Sequence, residues 1–175
     1  MLRRWIMSAL LCALPTGHVH AAPTDTDLHA SYCLRMLRLE RNFTGQMLVE
    51  MRATHPAASS PEGVVLASVQ RNFDQLQAAV QQVKGYFIPR LLGPAGATLD
   101  DMLQIQNASN AADADWRRVQ AAASTCGAQA QSLCQGKTNA ECADSLSACS
   151  ASSDPAMPAI QAKIAACLNP TWLPY

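Results

Sequence analysis

The sequence predicts an all-α fold: a single bundle of four or five helices that ends in a disulfide-stapled helical hairpin. Apolar residues recur at steps of three and four through three long segments, the spacing of one helical face. Four cysteines follow in the pattern C-x7-C-x7-C-x6-C between Cys126 and Cys149. No segment alternates apolar and polar residues as a strand does. We therefore expect residues 22–175 to form one helical domain.

The N-terminus has the order of a secretory signal peptide. Arg3 and Arg4 precede an apolar run over residues 5–14, and a small-residue cleavage site ends at Ala21. We predict that residues 1–21 are removed. The run is shorter than the about 18 apolar residues that a membrane helix needs, and no later segment reaches that length, so we expect no membrane insertion.

The cysteine count and the net charge restrict the compartments and the classes of partner to be expected. Loss of the predicted signal peptide leaves six of the seven cysteines, an even number suited to disulfides in the periplasm or outside the cell. Removing Arg3 and Arg4 also leaves 11 Lys and Arg against 13 Asp and Glu, a formal charge of −2. The sequence has no excess of positive charge of the kind that binds nucleic acid, so we expect no nucleic-acid partner.

The first helix is predicted to begin at Asp27 as a cap and to end at His55-Pro56. Its apolar stripe consists of Leu28, Tyr32, Met36, Leu39, Phe43, Met47 and Met51. The second helix is predicted to start with Ser60 as the cap and Pro61 at the first helical position, and the chain is predicted to break at Pro89 and the run Gly93-Pro94-Ala95-Gly96. Its stripe consists of Val65, Val69, Phe73, Leu76, Val80, Val83 and Phe87.

A third long helix is predicted to open at Thr98 and Asp101, a capping pair, and to continue into the cysteine block. Gly136 can close that helix in a left-handed conformation, and Thr138 with Glu141 reads as the capping box of the next helix. This order predicts two antiparallel helices joined by a tight turn.

Cysteine spacing predicts the disulfide pairs. Cys126 and Cys134 stand about 12 Å apart along the first hairpin helix, and Cys142 and Cys149 about 10.5 Å apart along the second, so the two pairs match in height. We predict Cys134–Cys142 and Cys126–Cys149, and by elimination Cys33–Cys167. Of residues 121–153, 18 of 33 are Ala, Ser or Gly, which allows the helices to approach closely. The alternative, a thiolate metal cluster, suits an oxidising compartment less well.

The last helix is predicted to start near Asp154-Pro155 and to stop at Asn169-Pro170. The tail beyond it carries Trp172 and Tyr175, aromatic residues of the kind that form interaction hot spots. We regard these two residues as candidate partner-binding residues. Docking of the tail onto its own bundle is the competing interpretation.

The sequence predicts the fold in more detail than the function. Only His29 and His55 survive removal of the signal peptide, and no hydrolase, phosphate-binding or dinucleotide motif is present. The leading interpretation is a non-enzymatic secreted or periplasmic binding module that needs no cofactor. One alternative is a periplasmic copper-binding protein, since Met47, Met51 and His55 are spaced one helical turn apart and offer soft ligands. A second alternative is an enzyme without a local motif.

Overall fold

The computed structural model describes residues 22–54, 56–93 and 97–174. The predicted signal peptide, residues 1–21, lies outside the described residues. Every regular element in the described ranges is an α-helix. The helices are α1 (Asp25–Ala53), α2 (Pro61–Leu91), α3 (Leu99–Ala128), α4 (Ala130–Cys134), α5 (Asn139–Ser153) and α6 (Met157–Leu168). The predicted all-α bundle with a C-terminal stapled hairpin is confirmed.

The helix count exceeds the four or five predicted because the third helix breaks at Gln129. The N–H of Gln129 bonds to the carbonyl of Cys126, three residues back, which tightens and ends α3. The next residue then starts α4. The apolar stripe continues across this break, so periodicity alone did not indicate it.

Two predicted capping boxes are present, and one predicted cap is wrong. Thr98 caps α3 and Thr138 caps α5, each in a reciprocal box. In α1, however, Thr24 is the cap and Asp27 is the third helical residue. The hydroxyl of Thr24 accepts a bond from the Asp27 N–H at 3.2 Å, and the Asp27 carboxylate accepts one from the Thr24 N–H at 2.9 Å. This reciprocal arrangement gives hydrogen-bond acceptors to the backbone N–H groups of both Thr24 and Asp27.

The predicted break at Pro89 and the run that starts at Gly93 agrees with the end of α2, which lies between these two signals at Leu91. Pro89 is exposed and lies in the last turn of the helix. Its missing N–H therefore removes a single bond, to the carbonyl of Gly85, where little helix remains to be disrupted.

Helix α1 is the centre of the bundle and packs against α2, α3 and α6. Within the described ranges α2 and α3 do not touch each other. Helix α2 runs antiparallel to α1, since Asp27 binds Arg90 and Arg52 binds Gln70. The largest fully buried side chains are Met36, Leu37, Leu76, Met157, Ile160, Val83, Cys33 and Cys167.

The predicted apolar stripes are buried along only part of their length. Tyr32 and Met36 are buried, but Phe43 and Met47 are 45% and 37% exposed, and Val65 of α2 is 51% exposed. The cause is the reach of α6. Cys167 is bonded to Cys33, and Met157 lies ten residues before Cys167, so α6 begins beside about residue 43 of α1.

The cysteine hairpin consists of α4, α5 and the end of α3. Gly136 lies at its turn with φ +74°, in the left-handed region that favours glycine. The bridges Cys126–Cys149 and Cys134–Cys142 have Cα separations of 5.9 and 4.6 Å, and both predicted pairs are confirmed. Neither α4 nor α5 contains a buried residue. Outside the hairpin, α5 packs only against α6.

Candidate functional site

The densest group of chemically active side chains lies where the start of α1 meets the end of α6. Here the Cys33–Cys167 disulfide, predicted by elimination, forms with a Cα separation of 5.1 Å, and both cysteines are fully buried. The Nε2 atom of His29 lies 3.6 Å from the Cys33 Sγ atom, one helical turn away. The Trp172 ring meets the His29 ring edge-on, with 4.4 Å between centroids. We name these four residues the His29 cluster.

A polar network borders the His29 cluster. The Tyr32 hydroxyl donates a hydrogen bond to Asp115 at 2.9 Å, and the Lys163 ammonium reaches the same carboxylate at 3.0 Å. The Lys163 nitrogen also lies 5.2 Å from the centre of the Tyr32 ring. Each group in this network has a partner, so it joins α1, α3 and α6 and leaves no spare base.

The electrostatics of this region keep both ring side chains neutral at ordinary pH. Burial, reinforced by the positive charge of Lys163, lowers the pKa of His29. Burial, together with the hydrogen bond to Asp115 and its negative charge, raises the pKa of Tyr32. A neutral imidazole carries a lone pair that can accept a proton or bind a metal. His29 therefore offers a ligand atom directed at the disulfide.

A second feature is an open groove of about 850 Å³ on the helix pair α1–α2. We name it the α1–α2 groove; its lining residues are Arg41, Asn42, Gly45, Gln46, Val49, Glu50, Phe73 and Gln77. Gly45 shapes its floor, because a Cβ atom at this position would lie 3.2 Å from the Phe73 ring. The glycine thus admits the ring against the helix backbone, while Val49 stands 70% exposed beside it.

The residues predicted as a copper site are only partly visible. Met47 is exposed and Met51 is half-buried, one turn further along α1. Helix α1 ends at Ala53 with Thr54 as its C-cap. His55 lies outside the described residues, so its distance from the two thioethers is not defined.

The tail folds back onto the bundle as far as it is described. The indole N–H of Trp172 donates a hydrogen bond to the carbonyl of Ala166 at 3.1 Å. Trp172 and Leu173 are partly buried against the apolar core. Tyr175, the other predicted partner-binding residue, lies outside the described residues. The indole N–H and part of the ring of Trp172 therefore make contacts within this chain.

Sequence reasoning missed the His29 cluster although part of its signal was local. His29 and Cys33 are four residues apart, a spacing that places them on one face of a helix. Asp115 and Lys163 are 48 residues apart and meet only through the tertiary fold, so no local pattern pointed to them.

Within the described ranges no helix is long and apolar enough to cross a membrane. Comparisons of this chain with protein-family models, with curated proteins and with solved structures find no match.

Proposed function

We propose that the protein is a non-enzymatic binding module of the periplasm or the extracellular space. Its three disulfides support the compartment, because such bridges persist where the surroundings are oxidising. Two of the bridges also hold α4 and α5, which contain no buried residue. A scaffold of this kind suits recognition by a fixed surface.

The observation that carries this proposal is the exposed apolar surface in the second half of α1. Phe43, Met47 and Val49 are 45%, 37% and 70% exposed, although Phe43 and Met47 continue the stripe that is buried earlier in the same helix. Exposed apolar area of this kind marks interaction surfaces in soluble proteins. Val49 also lines the α1–α2 groove, whereas Phe43 contacts the Trp116 ring of α3 edge-on with 6.0 Å between centroids.

The lining of the α1–α2 groove suggests the chemistry of the partner. Arg41 and Glu50 provide one charge of each sign, Asn42 bears an amide, and Val49 and Phe73 are apolar. This mixture fits a polypeptide with an amphipathic helical segment better than a nucleic acid or a uniformly charged ligand. We propose that such a segment lies along the groove.

A matched pair of substitutions tests the proposal. Val49→Asp places a charge on the surface beside the groove, while Leu92→Asp does the same at a side chain that is 79% exposed at the far end of α2. Protein captured from the native compartment should cross-link to the unmodified chain and to the Leu92→Asp variant, and Val49→Asp should lose that cross-link. Equal capture by both variants would count against the groove.

The copper alternative gains one supporting observation, since Met47 is exposed rather than packed in the core. We infer that this alternative uses Met47 and Met51 as thioether ligands for a cuprous ion. Met47→Leu and Met51→Leu keep the apolar volume and remove the sulfur, so each should weaken cuprous binding while leaving the fold intact. Unchanged affinity in the double variant contradicts this alternative.

A further inference from the structure

The His29 cluster contains three potential metal ligands in one place. The Nε2 or Nδ1 atom of His29 and the Sγ atoms of Cys33 and Cys167 all lie within 4.8 Å of one another. In a tetrahedral zinc site, Zn–S bonds of about 2.3 Å and Zn–N bonds of about 2.0 Å place neighbouring donors roughly 3.5 to 3.8 Å apart. Small side-chain rotations therefore suffice to bring these donors to ligand distances once the sulfurs are no longer bonded to each other.

We propose that reduction of the Cys33–Cys167 disulfide creates a Cys2His site for Zn²⁺ with His29 as the third ligand. A dithiol reductant supplies the two electrons and two protons: it attacks one sulfur, forms a mixed disulfide and leaves as a cyclic disulfide. Cys33 and Cys167 are then thiols. Zn²⁺ displaces both thiol protons and binds the two thiolates and the imidazole nitrogen.

The surroundings of the cluster suit this ligand set. Two thiolates and one neutral imidazole match Zn²⁺ sites that hold three protein ligands and leave a fourth position for water. The Nε2 atom of His29 already lies 3.6 Å from the Cys33 Sγ atom, so this nitrogen needs no movement of the helix backbone to reach a shared metal.

Both cysteines are fully buried, whereas His29 is half-buried and its ring meets the Trp172 ring edge-on. A reductant and the metal therefore reach the sulfurs only when the packing around them opens. In the oxidised protein each sulfur is committed to its partner, so the site exists only after reduction.

The test uses the full chain, reduced with a phosphine that does not itself ligate zinc as a thiol would. Zn²⁺ is added, the unprotected cysteines are alkylated, and modified peptides are mapped. We expect one equivalent of Zn²⁺ to protect Cys33 and Cys167 together. His29→Phe preserves an aromatic ring against Trp172 and removes the ligand, and should weaken zinc affinity by more than about tenfold. Protection of the hairpin cysteines instead, or equal affinity in His29→Phe, overturns the proposal.

A second measurement keeps the proposal testable if the reduced chain loses structure. In the variant that carries Ser at all four hairpin cysteines, Zn²⁺ binds only the reduced form, so it should increase the reduced fraction of Cys33–Cys167 in a glutathione redox buffer, whose single thiol does not chelate zinc as a dithiol does. The increase should follow zinc concentration and be at least about tenfold smaller in His29→Phe. A reduced fraction that does not respond to zinc refutes the site.

Discussion

The bundle and the cysteine hairpin are both built from helices, but different forces hold them together. Helices α1, α2 and α6 bury large side chains completely, among them Met36, Leu37, Leu76 and Ile160. Helices α4 and α5 bury none, and two disulfides link them to each other and to α3. Helical structure alone therefore says little about how a region is stabilised.

The difference originates in side-chain size. Residues 121–153 consist mostly of Ala, Ser and Gly, which allow the backbones to approach within the reach of a disulfide. The same small side chains have little apolar area to remove from water. In the bundle, large side chains such as Met36 and Leu37 provide that area.

The largest expected effect separates the two regions by a matched truncation. Leu37→Ala removes a fully buried side chain and should lower the free energy of unfolding by about 2 to 5 kcal/mol. Leu146→Ala makes the same change at a half-buried position of α5 and should cost less than about 1 kcal/mol. Urea unfolding of both variants measures the difference. Similar costs would show that the hairpin also relies on apolar packing.

Removing a hairpin disulfide should destabilise the hairpin more than the bundle, the opposite of the result expected for the truncations. The bond Cys126–Cys149 closes a loop of 23 residues, so replacing both cysteines by Ser should cost about 3 kcal/mol in the chain-entropy model. We expect hydrogen exchange to accelerate in α5 while amides around Met36 and Leu37 keep their protection. Equal acceleration in both regions would mean that the hairpin and the bundle unfold as one unit.

Glu40 tests how well the bundle tolerates a polar group. Its Oε2 atom is buried and has no hydrogen-bond partner in the described part of the chain, and burial raises the pKa of this carboxyl. The folded state thus holds the proton more tightly than the unfolded state, so this group favours folding at low pH and loses that contribution as the pH rises through the folded pKa. Glu40→Gln should add about 1 to 3 kcal/mol of stability at neutral pH and little below pH 4. A variant no more stable at pH 7 would contradict this.

Asp27 is the complementary case, a buried carboxylate with full hydrogen bonding. Burial alone would raise its pKa, but hydrogen bonds from Arg90, Thr24 and Tyr86 outweigh that effect and lower the pKa to about 2. Its stabilising contribution is therefore present above the ordinary value of 3.8 and is lost as the pH falls towards about 2. Asp27→Asn should flatten this acid dependence in thermal melts. An unchanged acid slope would assign the loss to other carboxylates.

Helix caps and short-range disulfides were predictable from the sequence. Which helix faces are covered by another helix was not. The capping boxes at Thr98 and Thr138 and the hairpin disulfides depend on residues close in sequence, and the structure shows them. The spacing of Phe43 and Met47 identified a helix face correctly. It could not show whether another helix covers that face, which depends on where α6 begins.

The His29 cluster shows the same limit. The pairing of Cys33 with Cys167 followed from elimination, but elimination carries no information about neighbours. Burial of His29 beside the bridge and its contact with Trp172 result from the way α6 and the tail return along α1. The spacing of residues in the sequence does not predict that α6 and the tail pack along α1.

The bridge between the first and last helices has a consequence for biosynthesis. A ribosome adds about 5 to 20 residues per second, and 134 residues separate Cys33 from Cys167, so Cys33 waits roughly 7 to 27 s before its partner exists. During that interval the four other thiols of the described chain are synthesised ahead of the correct one. The neighbouring pair Cys134–Cys142 can close first because its loop is short, which withdraws two competitors. Any early bond from Cys33 to Cys126 must be exchanged before the native Cys33–Cys167 bridge can form.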